Sequence, residues 1–552
     1  MKKIISLLAL ALAATTPALA QWNTNATPAC VYSTADKNGD YHACSIKAAR
    51  TPDKKTWLSW KTWEVKWVGK LKTLAVRTYL QLLDRDGVAQ FEEPIMVNDH
   101  VTPSWWSNYS LCVAADGSAI VTVADGRTEE ANLTPEEGDT TATCYSFCPA
   151  IYKIDQEGNF LWGLDGIDFP DYTDSPFTNA YVVGEDTYFL FNSNSNGADD
   201  FINIVRIDDD GTLGWEDIKK VDGLHAQIVP SLDGDFLLFD DCPDGARVTR
   251  LNRDFESVWG ESVIYDPYKY DGQALNQYKL ASDGQGGAAV AFVRNMGQFA
   301  HNIRVQHIYA DGSLGFGLEG LDAANTEDGD FDYCGVAVSP ETEEILVDFE
   351  SQLTTGYHVM LQKFTFDGDY LFDDQGVSIA RKSQDNNYAF ARVGIGSIED
   401  GGWIVCYRDV AGYGAKNSFV IRRYDKEGTQ VWTRTIGRDL DVDGVNMFVE
   451  PEATYLFYRE YAPTKAPGVK IFRIGSDGKY DVTYQDNVVP GDVNGDKTVD
   501  VADIALIIDV MAAGATIPDA SASGAADVNK DGSVDVADIS AVIDAMAGKA
   551  SE

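Results

Sequence analysis

Two segments near the C-terminus set oxygen-bearing side chains at alternating positions of a short loop. The first carries Asp492, Asn494, Asp496, Thr498, Asp500 and Asp503; the second, 35 residues further on, carries Asp527, Asn529, Asp531, Ser533, Asp535 and Asp538. Side-chain oxygens fall at loop positions 1, 3, 5, 9 and 12, and the residue at position 7 (Thr498 or Ser533) offers its main-chain carbonyl. A hard cation such as Ca2+ takes about six to eight oxygen ligands, and alternate residues of a tight loop can turn theirs inward. The pattern therefore predicts two calcium sites. Each loop runs into an apolar stretch, with Ile504, Ile507, Ile508 and Met511 after the first and Ile539, Val542, Ile543 and Met546 after the second. That spacing predicts a helix behind each loop.

The remaining candidates are looser. His225, Asp240, Arg294, Arg408 and Asp409 stand at the ends of apolar, strand-like runs. Carboxylates, arginines and a histidine of this kind suit a glycan or peptide ligand if the fold brings them together, and paired carboxylates can hydrolyse glycosidic bonds. No nucleophile elbow, zinc-protease or phosphate-loop motif occurs. Asp36, Asn38 and Asp40 imitate the start of a calcium loop, but position 12 would be Lys47, so this segment reads as a turn.

The elements that must position these side chains are repeated. A turn recurs in which Gly precedes an aromatic by four residues: Gly87 and Phe91, Gly158 and Trp162, Gly211 and Trp215, Gly312 and Phe316, Gly368 and Phe372, Gly428 and Trp432. Two further copies are degenerate, with Phe255 in place of Gly ahead of Trp259, and Val482 in place of the aromatic after Gly478. An apolar hairpin precedes each of the eight turns, from Cys44–Trp63 through Leu111–Asp125 to Met447–Glu460. Two hairpins per repeat give four strands in about fifty residues without helices, which predicts an all-β, eight-bladed β-propeller, with seven blades as the alternative. The recurrent aromatics are expected to pack between blades. Strand parity puts the first-to-second and third-to-fourth turns of every blade on one rim. The other rim then receives His225, Asp240, Arg294, Arg408 and Asp409.

The turn resembles the tryptophan-docking repeats of quinoprotein-type propellers, over residues 43–485. The Thr before Gly is missing and there is no adjacent Cys pair, so no quinone cofactor is expected. The tail, residues 491–548, closely resembles a type I dockerin: two loop–helix repeats, no entering helix, and Asp at position 12. That resemblance implies the twelve loop residues as calcium ligands, Thr498 and Ser533 through their backbones, and a cohesin-like or other cell-surface protein as partner. It departs from the family at Lys497, where the second loop has Gly532. It departs again at Val501-Ala502 and Val536-Ala537, where cellulosomal dockerins carry Ser/Thr pairs that touch cohesin.

The 552 residues include 86 acidic and 44 basic side chains, a formal charge of −42. Such a chain repels nucleic acid and anionic membranes. Met1-Lys2-Lys3, an apolar run over 4–11 and Ala18-Leu19-Ala20 read as a signal peptide over residues 1–20, and no later stretch is long enough to span a bilayer. Eight cysteines are too few for a disulfide scaffold; Cys30 with Cys44 and Cys144 with Cys148 are open as bridges, while Cys112, Cys334 and Cys406 read as buried thiols.

The expected organisation is a signal peptide (1–20), an N-terminal segment (21–42), a propeller (43–485), a linker (486–490) and the dockerin-like module (491–548). The expected function is that of a secreted, glycan- or protein-binding component of extracellular polysaccharide degradation, assembled or attached through calcium. The alternative is a glycoside hydrolase acting on O-glycosyl bonds.

Overall fold

A computed structural model of the chain describes residues 22–25, 27–33, 41–68, 71–98, 100, 107–128, 146–193, 201–223, 226–242, 245–265, 278–297, 300–324, 330–353, 355–382, 390–398, 400–410, 417–440, 442–460, 468–480, 499, 501, 504–505, 507–508 and 536–546. The expected signal peptide and the Asp36–Asp40 turn lie outside these residues. Two units separate, Met1–Asp481 and Val482–Glu552. Among the described residues no helix is long and apolar enough to cross a membrane.

The first unit consists of eight four-stranded antiparallel sheets. Their first strands, which number the blades one to eight, are Tyr41–Arg50, Leu111–Val113, Thr178–Val183, Ala226–Pro230, Lys279–Ser282, Asp330–Ser339, Phe390–Ser397 and Val442–Val449. Each touches the first strand of the next blade, and the eighth touches the first, so the ring closes on eight blades. The second strands are the most apolar. Ala119–Asp125 is buried along its whole length, because neighbouring blades cover both faces, and so it reads as an unbroken apolar run. The core lies in the seams. Trp57, Leu80 and Leu82 of blade one, for example, pack with Val121 and Tyr152 of blade two.

The recurrent aromatics are the seam contacts the spacing predicts. Each reaches across to the turn of the following blade. The Trp162 indole N–H donates to the Asp209 carbonyl (3.1 Å), Trp259 to Ala310 (3.0 Å) and Trp432 to Ser476 (2.8 Å). The degenerate copy is accommodated locally: Phe255 adopts φ 65° where the other turns have Gly, and its ring packs edge-on against Trp215 at 5.3 Å.

Blade eight is completed from the far end of the chain. Its fourth strand is Ala29–Ser33, antiparallel to Gly468–Gly475 with Ala29 opposite Ile471 and Ser33 opposite Gly468. Tyr32 O lies 2.0 Å from where a Cβ on Gly468 would stand (φ 146°), so only glycine fits there. The ring thus takes in residues that the repeat pattern leaves in an N-terminal segment, and the turn at Gly478 needs no fourth strand of its own. Asn23 extends the staple. Its Nδ2 donates to Arg473 O (2.9 Å) and its Oδ1 accepts from Arg473 N (2.6 Å). Among the described residues no disulfide joins Cys30 to Cys44, and Cys148 is a buried thiol, while Cys144 lies outside the described residues. Cys30 lies on the fourth strand of blade eight and Cys44 on the first strand of blade one.

In the second unit, helix Val536–Met546 places Val542 in a small core with Ile507, Val499, Ile504 and Ile539. The 35-residue register is visible in the packing. Ile507 and its counterpart Val542 are fully buried, while Val501 and Val536 are 70% and 65% exposed and Ile508 and Ile543 are 50% and 51% exposed. The apolar face expected behind each loop is therefore split between core and surface.

Candidate functional site

Of the twelve expected calcium ligands only Asp538 falls among the described residues, its backbone lying in the helix Val536–Met546. Two observations fit a cation there. The donor set is all oxygen, the chemistry a hard divalent ion prefers. The residues behind the two loops are buried and exposed in the same register, as two copies of one loop–helix unit require.

On the propeller, the structure gives the rim candidates partners of their own. Asp240, fully buried, accepts a charge-assisted bond from Arg247 across the second and third strands of blade four. Arg294 lies 3.7 Å from Glu319 and donates to its carbonyl. Arg408 donates to the Val442 carbonyl at the start of blade eight (2.9 Å), and Arg459 makes the corresponding bond to Ala43 of blade one (2.7 Å). These two arginines clip one blade to the next. Asp409 pairs with Lys382 of blade six. His225 lies outside the described residues. Among those described, no ion pair or hydrogen bond joins two members of the set.

Sequence reasoning missed three features of the channel wall. First, the innermost strand is interrupted by a bulge in four consecutive blades: at Asp332/Cys334, Arg392/Gly394, Asp443/Asn446 and Cys44/Lys47. Ser45 and Tyr333 sit in these bulges at φ 53° and 50°, and Tyr333 is 70% exposed. Bulges of this kind re-aim side chains and cluster near functional sites. Second, a recess of about 430 Å3 opens at the rim of the tight turns, lined by Arg50, Pro52, Val113, Ala115, Val182 and Pro230. Arg50 is held there by Glu450 of blade eight through two bonds of 2.7 and 2.9 Å. Burial alone would raise the Glu450 carboxyl, but the Arg50 bonds and charge outweigh it and hold the group below its ordinary range.

The third feature is a pair of lysines in the seam between blades one and two. Lys61 is 2% exposed and donates to Ser107 O (2.5 Å) and Ser107 Oγ (2.9 Å). Burial, with a smaller contribution from the nearby Lys47 charge, pulls its amine down to about 8. The Lys61 and Lys47 ammonium groups stand 5.2 and 5.9 Å from the centre of the same Tyr109 ring. The signal for this site was absent from the sequence because a contact between two blades makes it.

Residues 490–547 match the family model described as the dockerin type I domain. No curated protein matches the chain. Among solved structures, a protein of unknown function from Dyadobacter fermentans DSM 18053 is 10% identical with a TM-score of 0.34, covering 79% of this chain and 95% of that one. The β-propeller domain of the Trilobed protease from Pyrococcus furiosus is 8% identical with a TM-score of 0.34, covering 73% and 99%. A GH43 endo-arabinanase from Bacillus licheniformis is 12% identical with a TM-score of 0.26, covering 47% and 96%. None of these likenesses bears on activity. The chain is an eight-bladed β-propeller that carries a C-terminal dockerin type I domain.

Proposed function

We propose that this protein is exported and attached, through its calcium-loaded C-terminal module, to a cohesin-like or other cell-surface protein, where the propeller serves as a glycan- or protein-binding component of extracellular polysaccharide degradation. The observation that carries the proposal is the dockerin match over residues 490–547, supported by the two-fold burial register of its helices. Two Ca2+ ions are assigned: one to Asp492, Asn494, Asp496, Thr498, Asp500 and Asp503, the other to Asp527, Asn529, Asp531, Ser533, Asp535 and Asp538. Calcium supplies the positive charge that lets these carboxylates converge, and the ions hold the loops against the two helices. The exposed pairs Val501 with Ile508 and Val536 with Ile543 offer the partner an apolar surface in place of the hydroxyl pairs of cellulosomal relatives. The segment 1–20 is assigned as the export signal.

The test is binding of the whole mature chain to a panel of cohesins in calcium and in chelator. Binding that appears with calcium and vanishes without it supports the proposal. Binding unaffected by chelator, or none to any cohesin or surface protein, contradicts it. Screening the same chain on plant and host glycans, read for both retention and released sugar, separates a binding propeller from a glycoside hydrolase.

A further inference from the structure

Among the described residues, four lysines of the propeller are almost fully buried: Lys61, Lys153, Lys363 and Lys470. Three have carboxylate partners. Lys153 lies 2.9 Å from Asp116 and 2.5 Å from Asp209, Lys363 lies 2.6 Å from Glu344, and Lys470 lies 3.7 Å from Glu460. Lys61 has no carboxylate among the described residues; its partners are the carbonyl and hydroxyl of Ser107. In a chain with 86 acidic and 44 basic side chains, this exception is not a shortage of carboxylates. A buried ammonium without a counter-charge is costly, and buried charges are ordinarily paired.

A second cation aggravates the exception. Lys47 stands directly opposite Ser59, and Cys44 directly opposite Lys61. Opposed residues in an antiparallel pair share a face, and so do residues two apart on one strand, so Lys47, Ser59 and Lys61 all lie on one face of blade one. That face meets Tyr109, which precedes the first strand of blade two. The Tyr109 hydroxyl donates to Ser45 O (2.6 Å) and shares a bond with Ser59 Oγ (2.9 Å). Tyr109 is thereby fixed beside both ammonium groups, and its hydroxyl has no proton left to offer a ligand. Burial likewise lowers the Lys47 amine, and no carboxylate among the described residues pairs with it. Lys47 is only half-buried and lies on the innermost strand just past the bulge.

We propose that Lys47 and Lys61, in the seam between blades one and two, form a binding site for a carboxylate. Lys61 spends two of its three N–H groups on Ser107, which leaves one; Lys47 supplies others. A planar carboxylate, with one oxygen on each ammonium, fits that supply. Phosphate, with more charge and more oxygens, would need more donors and is the poorer match. The carboxylate comes either as a free small acid or as the uronic-acid unit of an acidic glycan. The inference stands on the lysine geometry and does not require the dockerin assignment.

The test is isothermal titration of the whole mature chain with sodium acetate and, separately, with sodium galacturonate, in a chloride background at pH 7. Binding of either at one site, weakened about tenfold or more in Lys47→Ala and in Lys61→Met, supports the site. Acetate and galacturonate binding alike marks a free carboxylate; galacturonate alone marks the sugar acid. Binding must also weaken at pH 9.5, because the Lys61 amine, poised at about 8, has lost its proton there. Lys61→Met keeps the length and apolar stem; if it unfolds, the half-buried Lys47→Ala decides alone. No binding of either anion at tens of millimolar, or binding that both variants retain, overturns the proposal.

Discussion

Trp22 lies across Gly87. Its indole N–H donates to the Arg85 carbonyl at 2.8 Å, and a Cβ on Gly87 would stand 2.7 Å from the Trp22 backbone nitrogen and 2.8 Å from its ring. This is the seam contact that Trp162, Trp259 and Trp432 make on the turns that follow them, but here the aromatic comes from the start of the chain. The eighth repeat ends in Val482 where its own aromatic would be, and Trp22, 3% exposed, takes that role. Together with Asn23 and the strand Ala29–Ser33, it closes the ring from the N-terminus.

Trp22→Ala is therefore expected to weaken the whole propeller. Removing a buried aromatic of this size costs about 3–5 kcal/mol, and the loss should appear as a lower denaturation midpoint and as early proteolysis at residues 22–33. An unchanged midpoint would mean that the ring closes without this contact.

Asp283 is a second seam device, and it is sensitive to acid. Its Oδ1 accepts from the N–H groups of Gln285 and Gly287 (2.7 and 2.8 Å), and its Oδ2 meets His307 Nε2 at 3.0 Å. The other His307 nitrogen reaches the Phe366 carbonyl of blade six at 3.1 Å. Burial would raise the Asp283 carboxyl, but the His307 contact and the two N–H groups outweigh it and hold the group below the usual carboxylate range. A carboxyl lowered by folding contributes stability that is present above its unfolded value of about 3.9 and is lost as pH falls through the folded value. Asp283→Asn is expected to cost about 1–3 kcal/mol at neutral pH. Urea unfolding across pH should show that difference shrinking below about pH 4. A difference that stays constant into acid would contradict this.

The two calcium loops are expected to be unequal. Loop position 6 needs a sharp turn that Gly532 takes without strain and Lys497 does not. Asp527→Ala and Asp538→Ala should each lower calcium stoichiometry from two to one and remove more helical signal than Asp492→Ala. Equal losses from the three variants would remove the distinction.

Much of the ring was legible because a propeller repeats its physics. The spacing of Gly158 to Trp162 or of Gly428 to Trp432 reports a turn and a seam contact that recur in every blade. The closure was not legible. Trp22 and Ala29–Ser33 act on blades one and eight, and Arg473, which Asn23 holds, is 450 residues away, so no local period announces them. Parity placed His225 at the start of a first strand and the other rim candidates at the ends of second strands, but the partners of the latter come from other blades or strands: Val442 for Arg408, Lys382 for Asp409. Lys61 went unnoticed for the same reason, since an isolated lysine in a strand acquires meaning only when Ser107 and Tyr109 close over it. In the C-terminal module the register Ile507 to Val542 was readable, whereas the exposure of Ile508 and Ile543 follows from how narrow the shared core is.

Hydrogen exchange over the helix Val536–Met546 of the intact protein, with calcium and with chelator, tests the calcium-dependent module most directly. The tail from Gly491 holds 12 acidic and 3 basic side chains, and the core behind it is only a few residues wide. Such a module needs a cation to overcome its own repulsion and fold. Strong protection in calcium that collapses in chelator, while the propeller strands stay protected in both, is the expected result. Equal protection of the helix in both conditions would mean that the loops bind no structural calcium and that attachment does not work through it.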